Sequence, residues 1–213
     1  MATPNLWTNV QVATQSAIAA ADTITGITKA NPGVVTSTAH GWANGDYVLY
    51  DVQGMYQLTE RVVRAANVAA NTAELEGLDT TLFSTFTSGS GQVITFGNSV
   101  TTAVSVDASG GEAEYADVTT IHDSIRKKIP SFSSELTLSF DMIFDPSDTT
   151  LLALKAASDL KVKRAIKITW STGNLMVVNG FINAPLTPTG SVGELVKTRV
   201  SFTAFGVPTY YSS

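Results

Sequence analysis

Hydrophobic and polar residues alternate with period two along much of the C-terminal half of the chain, the spacing of a half-buried strand. In residues 134–144, Leu136, Leu138, Phe140 and Met142 share one face, while Glu135, Thr137, Ser139 and Asp141 share the other. Residues 161–170 set Ile166, Ile168 and Trp170 against Lys161, Lys163, Lys167 and Thr169, with Arg164 out of pattern. Residues 197–205 set Val200, Phe202 and Ala204 against Arg199, Ser201 and Thr203. Residues 174–182 are apolar on both faces and read as a central strand covered on both sides.

One segment has helical spacing instead. Pro146 closes the preceding strand, and Ser147 or Asp148 can accept the orphan N–H groups of a first turn. Leu151, Leu154 and Ala157 or Ser158 then fall on one face of a helix of about three turns. Two packed antiparallel sheets flanked by this α-helix are the simplest assembly of these parts.

Residues 29–97 differ in texture. The turn signals His40-Gly41 and Asn44-Gly45-Asp46 lead into an alternating strand with Val48, Tyr50 and Val52 on one side. Further short strands follow, and a Gly/Ser loop closes the stretch with one more. This predicts a small β-barrel inserted into the main domain, which long surface loops tolerate. The domain reading is therefore an N-terminal arm and first strand at 1–28, the inserted module at 29–97, and the remainder of the main domain at 98–213. Residues 107–130 read as a long hairpin or mobile loop whose first side is acidic and second side basic. Asp107, Glu112, Glu114 and Asp117 precede Arg126, Lys127 and Lys128, with Gly110-Gly111 marking a turn.

Composition narrows the function. The chain has 213 residues, no cysteine and only 15 % charged residues, so neither a disulfide scaffold nor whole-chain disorder fits. No apolar run approaches the ~20 residues of a membrane span, and no signal peptide is expected. The net charge of −5 makes the chain a poor non-specific binder of nucleic acid, whose phosphates are held by Lys and Arg. The acids concentrate before residue 124 and the bases after it, so copies of the chain can complement one another.

Catalytic chemistry finds no foothold. His40 sits in a His-Gly turn, and His122 lies in Ile-His-Asp-Ser, where adjacent residues point in different directions. Metalloprotease, nucleophile-elbow and phosphate-binding patterns are absent. Glu135 and Asp141 share a strand face but lie roughly 20 Å apart, too far for an acid/base pair. No catalytic, cofactor-binding or metal residue is expected, and the protein reads as a non-enzyme without cofactors.

Residues 118–182 and 184–212 together carry a resemblance. Their order is a loop, a strand, a capped helix near Asp148, a strand pair, a Pro-Thr-Gly loop at 188–190, and a final strand ending in Phe205-Gly206-Val207-Pro208. This order resembles the tail tube (major tail) proteins of long, non-contractile-tailed phages. Residues 30–80 are similar to a small β-module common in phage structural proteins, of the first-catalytic-cysteine half-domain type, although no cysteine is present. The resemblance implies a structural virion protein that polymerises as stacked hexameric rings, whose inner sheets join into one β-barrel. It implies as partners further copies of the chain, the tape-measure protein, tail terminator and tail-tip proteins, and phage DNA in transit without sequence specificity. Membrane binding is not implied. The location would be the virion tail, assembled in the bacterial host cytoplasm.

Three site expectations follow. The acidic group Asp107, Glu112, Glu114 and Asp117 and the basic group Arg126, Lys127 and Lys128 are expected at inter-ring contacts. Glu135, Thr137, Ser139 and Asp141, polar but not basic, are expected to face the lumen. Leu6 and Trp7 are expected to dock the N-terminal arm, on a neighbour or on the chain's own domain. Lys161, Lys163 and Lys167 would hold DNA and are expected away from the lumen, or in subunit contacts. A competing reading makes the chain a surface-binding adhesin module with an aromatic pocket built from Trp42, Tyr47 and Tyr50.

Overall fold

A computed structural model describes residues 7–212. In chain order the strands are β1 (Gln11–Ile18), β2 (Asp22–Ile24), β3 (Gly26–Ile27), β4 (Val34–Thr36), β5 (Tyr47–Gln53), β6 (Val62–Ala69), β7 (Thr72–Leu75) and β8 (Ser88–Val100). They continue with β9 (Ala103–Ser109), β10 (Ala113–Asp117), β11 (Lys128–Ser133) and β12 (Thr137–Ile143). The helix α1 (Thr149–Asp159) precedes β13 (Lys163–Thr169), β14 (Leu175–Asn183), β15 (Lys197–Ala204) and β16 (Thr209–Tyr211). The protein is mainly β, with one large antiparallel sheet, a small second sheet and a single α-helix among the described residues.

The large sheet has 14 strands in the order β3-β4-β7-β6-β5-β8-β1-β13-β14-β15-β12-β9, with β16 on β14 and β2 on β8. The layers expected from the sequence are therefore parts of one hydrogen-bonded ladder. Their apolar faces meet in three clusters. The first takes Leu138, Phe140 and Met142 of β12, Val200 and Phe202 of β15 and Ile166 and Ile168 of β13 under the helix residues Leu151, Leu154 and Ala157. The second joins Trp42, Val48, Tyr50, Met55, Leu58 and Leu75, and takes Ile24 from β2 as well. The third, with Val62, Ile94, Ala165, Val177 and Tyr211, packs the β6/β8 part against β13 and β14.

Local chemistry explains the elements. Asp148 caps α1: its carboxylate accepts the Thr150 N–H at 2.8 Å and the Leu151 N–H at 3.4 Å. Val48, Tyr50 and Val52 are buried along β5, the face that alternation assigns to them. β14 is buried from Leu175 to Gly180, as a strand between two apolar layers should be.

A short loop before β6 ties the β5–β7 part to the C-terminal strands. Glu60 pairs with Lys163 and accepts Asn179 Nδ2 at 2.8 Å. Arg61 donates to Thr209 Oγ1 at 3.0 Å, and the Arg64 N–H donates to the Tyr211 hydroxyl at 2.6 Å. Burial pushes the Tyr211 hydroxyl up to about 12. The loop lies so close that a Cβ on Gly206 would come within 2.0 Å of the Glu60 carbonyl oxygen.

Candidate assembly surfaces

The second, two-stranded sheet is an arm. Strands β10 and β11 pair only with each other, and every residue in both is exposed. The arm extends the β9/β12 hairpin. Ser109 pairs with Thr137 at the edge of the body, and the ladder resumes through Gly111 N–H to Ser134 O at 3.1 Å and Ser134 N–H to Glu112 O at 2.8 Å. The joint needs glycine: Gly110 has φ +84°, and a Cβ there would meet the Glu135 carbonyl at 1.9 Å. Beyond the joint, Tyr115, Ile121, Ile125, Ile129 and Phe132 all stand in solvent, Ile121 at 95 % exposure. An isolated two-stranded ribbon is marginally stable in water, and large apolar side chains gathered in solvent on one element mark an interaction site.

Charges on the arm are partly matched within it. Asp117 lies opposite Lys128 in register, and Lys127 pairs with Asp123. The Thr119 hydroxyl and N–H hold the Asp117 carboxyl below the usual carboxylate range, and Lys127 with Thr120 does the same for Asp123. Glu112 sits at the arm's base, where its N–H donates to Ser134 Oγ at 3.1 Å; Glu114 is in β10, and Arg126 precedes β11. Asp107 is elsewhere: it lies on β9 opposite Ser139, and its carboxylate is 3.7 Å from Arg199. The structure thus groups Asp107 with the polar sheet face and the other six charges with the arm.

That polar face is built by β9, β12 and β15. Register sets Thr137 beside Ser109 and Thr203, Ser139 beside Asp107 and Ser201, and Asp141 beside Ser105 and Arg199. Ser105 donates to Asp141 at 3.1 Å, and Arg199 lies 4.0 Å from the same carboxylate. Leu138, Phe140 and Met142 turn the opposite way, into the helix-covered core. Glu135 is exposed at the arm joint, ahead of β12.

The lysines are on an unexpected side. Lys163 is opposite Phe181, Phe181 opposite Thr203, and Thr203 opposite Thr137. Lys163 and Lys167 therefore share a sheet face with Thr137, Ser139 and Asp141, which alternation within each strand could not reveal. They do not lie open on it. Lys163 pairs with Glu60 and sits 4.6 Å over the Phe205 ring. Lys167 lies 5.1 Å over both Tyr47 and Phe96, and desolvation lowers its pKa. Lys161 falls outside β13, at φ +51° after α1.

Trp7 packs on Trp170 with ring centroids 6.0 Å apart, so this side chain contacts its own chain. Leu6 lies outside the described residues. His40 is a turn residue, accepting the Trp42 N–H on Nδ1 at 3.0 Å and packing on the Trp42 ring. Trp42 and Tyr50 are buried in the second cluster and Tyr47 packs edge-to-face on Phe96, so the aromatic pocket of the adhesin reading is not formed. The Pro-Thr-Gly loop expected at 188–190 is part of a longer loop at 184–196. It leaves the sheet at the far end of β15 and exposes Val192, Leu195 and Val196. Its Pro and Gly content signalled a loop, but nothing in it signalled which end of the body it would occupy.

No curated protein matches the chain. Residues 53–213 match the phage tail tube protein family, from the end of β5 through the arm, the polar face and the C-terminal strands. The match spans most of the chain, and with it the elements described above find their place: the chain belongs to the phage tail tube protein family, a structural component of the virion tail that assembles with its own copies.

Proposed function

We propose that the chain polymerises as hexameric rings stacked head to tail, forming a tube that encloses the tape-measure protein and conducts DNA during ejection. The observation that carries this reading is the arm: a ribbon exposed on both faces, rich in apolar side chains, on a member of a self-assembling family. Such a surface is covered when subunits meet. A contact between two different surfaces repeats without closing and builds a filament.

In this reading the arm, with Glu112, Glu114, Asp117, Arg126, Lys127 and Lys128, makes the contact between rings. Glu135, Thr137, Ser139 and Asp141 line the channel, joined by Asp107. Asp107 and Asp141 share Arg199, and Lys163 and Lys167 are engaged by Glu60, Tyr47, Phe96 and Phe205. Matching Arg199 to two carboxylates weakens the hold of this wall on phosphates. Residues 29–97 form an inserted module, packed over the β13/β14 end of that face. Tail terminator and tail-tip proteins close the two ends of the tube, and assembly takes place in the host cytoplasm.

The test is negative-stain electron microscopy over a protein concentration series, with light-scattering mass on the same samples. Hollow tubes or six-membered rings are expected. A protein that stays monomeric at every concentration, and also when a tail-tip nucleus is added, would overturn the reading.

A further inference from the structure

We propose that the arm of one copy docks on the opposite end of the next copy, on a surface formed by Asp145 and the loop 184–196. This rests on the stacking reading above and adds to it the surface that receives the arm. Two ends of β12 define the geometry. At its first residue, Thr137 pairs with Ser109, and the arm departs there. At its last residue, Ile143 pairs with Lys197, and the Phe144 N–H donates to the Val196 carbonyl at 2.9 Å. That bond sets the loop beside Asp145. The length of β12 holds the two surfaces about 20 Å apart, and the arm extends the separation.

Both surfaces lack cover, and their chemistry matches. The loop end exposes Val192, Leu195 and Val196 together with the carboxylates of Glu194 and Asp145, which outnumber the single ammonium of Lys197. The Ser147 hydroxyl and N–H hold the Asp145 carboxyl below the usual carboxylate range, so it stays charged at neutral pH. The arm tip exposes Ile121, Ile125 and Ile129 together with Arg126, Lys127 and Lys128, against which Asp123 and Asp117 supply two internal partners and leave the tip net positive. Apolar residues meet apolar residues and the net positive tip meets the acidic loop end. The occupant is a second copy of this chain. Since the matching surfaces sit at opposite ends of one strand, each docking leaves a free arm and a free loop end for the next.

The chain has no cysteine, so a thiol pair reports the contact without background. The double variant Ile125→Cys/Leu195→Cys is assembled under reducing conditions, imaged, then oxidised and run on a denaturing gel. A ladder of covalent multimers is expected, whereas each single variant can link no more than two chains. Tubes without a ladder would overturn the docking surface and leave the stacking reading standing. Absence of tubes from the unsubstituted protein would overturn both. Should the cysteine pair itself block assembly, charge reversal decides. Lys127→Glu/Lys128→Glu is expected to raise the protein concentration needed for tubes by about tenfold or more, and adding Asp145→Lys/Glu194→Lys in the same chain to bring it back. A reversed arm that the second reversal does not restore would overturn the proposal.

Discussion

Single residues decide whether neighbouring elements stay joined. Asp148 satisfies two N–H groups at the start of α1, and losing such a cap costs about 1 kcal/mol. Asp148→Ala is therefore expected to lower the Tm by roughly 2–4 °C in thermal denaturation; an unchanged Tm would mean the helix is held by packing alone. Tyr211 is a sharper case. Its buried hydroxyl accepts the Arg64 N–H, and its ring lies 4.5 Å from the Arg64 guanidinium carbon. Tyr211→Phe leaves that N–H without its acceptor, a loss of about 1–3 kcal/mol. Tyr210→Phe, at an exposed position in the same strand, is expected to stay within about 0.5 kcal/mol of the parent. Equal stabilities for the two variants would show that β6 does not clamp the C-terminal strand through Tyr211.

At the scale of elements, the arm stands apart because none of its residues enters an apolar cluster. Replacing residues 112–134 by a short glycine turn should leave the Tm of the monomer within about 2 °C, since no buried surface is lost. The same deletion should abolish tubes. A large fall in Tm would show that the arm stabilises the body, which its exposure does not suggest. β14 is the opposite case, apolar on both sides and buried on both. The contrast follows from placement: one element is sandwiched between two layers, and the other projects from a sheet edge with nothing of its own chain to pack against.

For the whole molecule, charge is arranged by region. The polar face couples Asp107 and Asp141 to Arg199, and the arm tip and the loop end carry opposite signs. Contacts between exposed charges weaken as salt shortens the Debye length from ~10 Å at 0.1 M to ~3 Å at 1 M. Assembly followed by light scattering is thus expected to need more protein at 1 M salt than at 0.1 M. Apolar burial persists under both conditions, so tubes should still form. Assembly insensitive to salt would assign the contact to apolar side chains alone.

Much of this architecture was legible along the chain. Period-two alternation marked β12, β13 and β15, the run apolar on both faces marked β14 as covered, and Asp148 marked the start of α1. These are local properties: they depend on which side of a strand or helix a residue occupies, and sequence spacing determines that directly. The glycine pair and split charges at 107–130 likewise marked a hairpin or mobile loop, and the pairing of β10 with β11 makes it a hairpin. Pairing partners and register were not legible, because strands distant in sequence choose one another through the shape of the shared core. Register put Asp107 beside Ser139, turned Lys163 and Lys167 to the same side as Thr137, and sent Trp42 and Tyr50 into a core rather than a pocket. The sequence by itself thus determined the elements and their buried faces. Only the tertiary structure decided which polar groups meet, and that the arm and the loop at 184–196 leave opposite ends of β12, because those relations arise from long-range pairing.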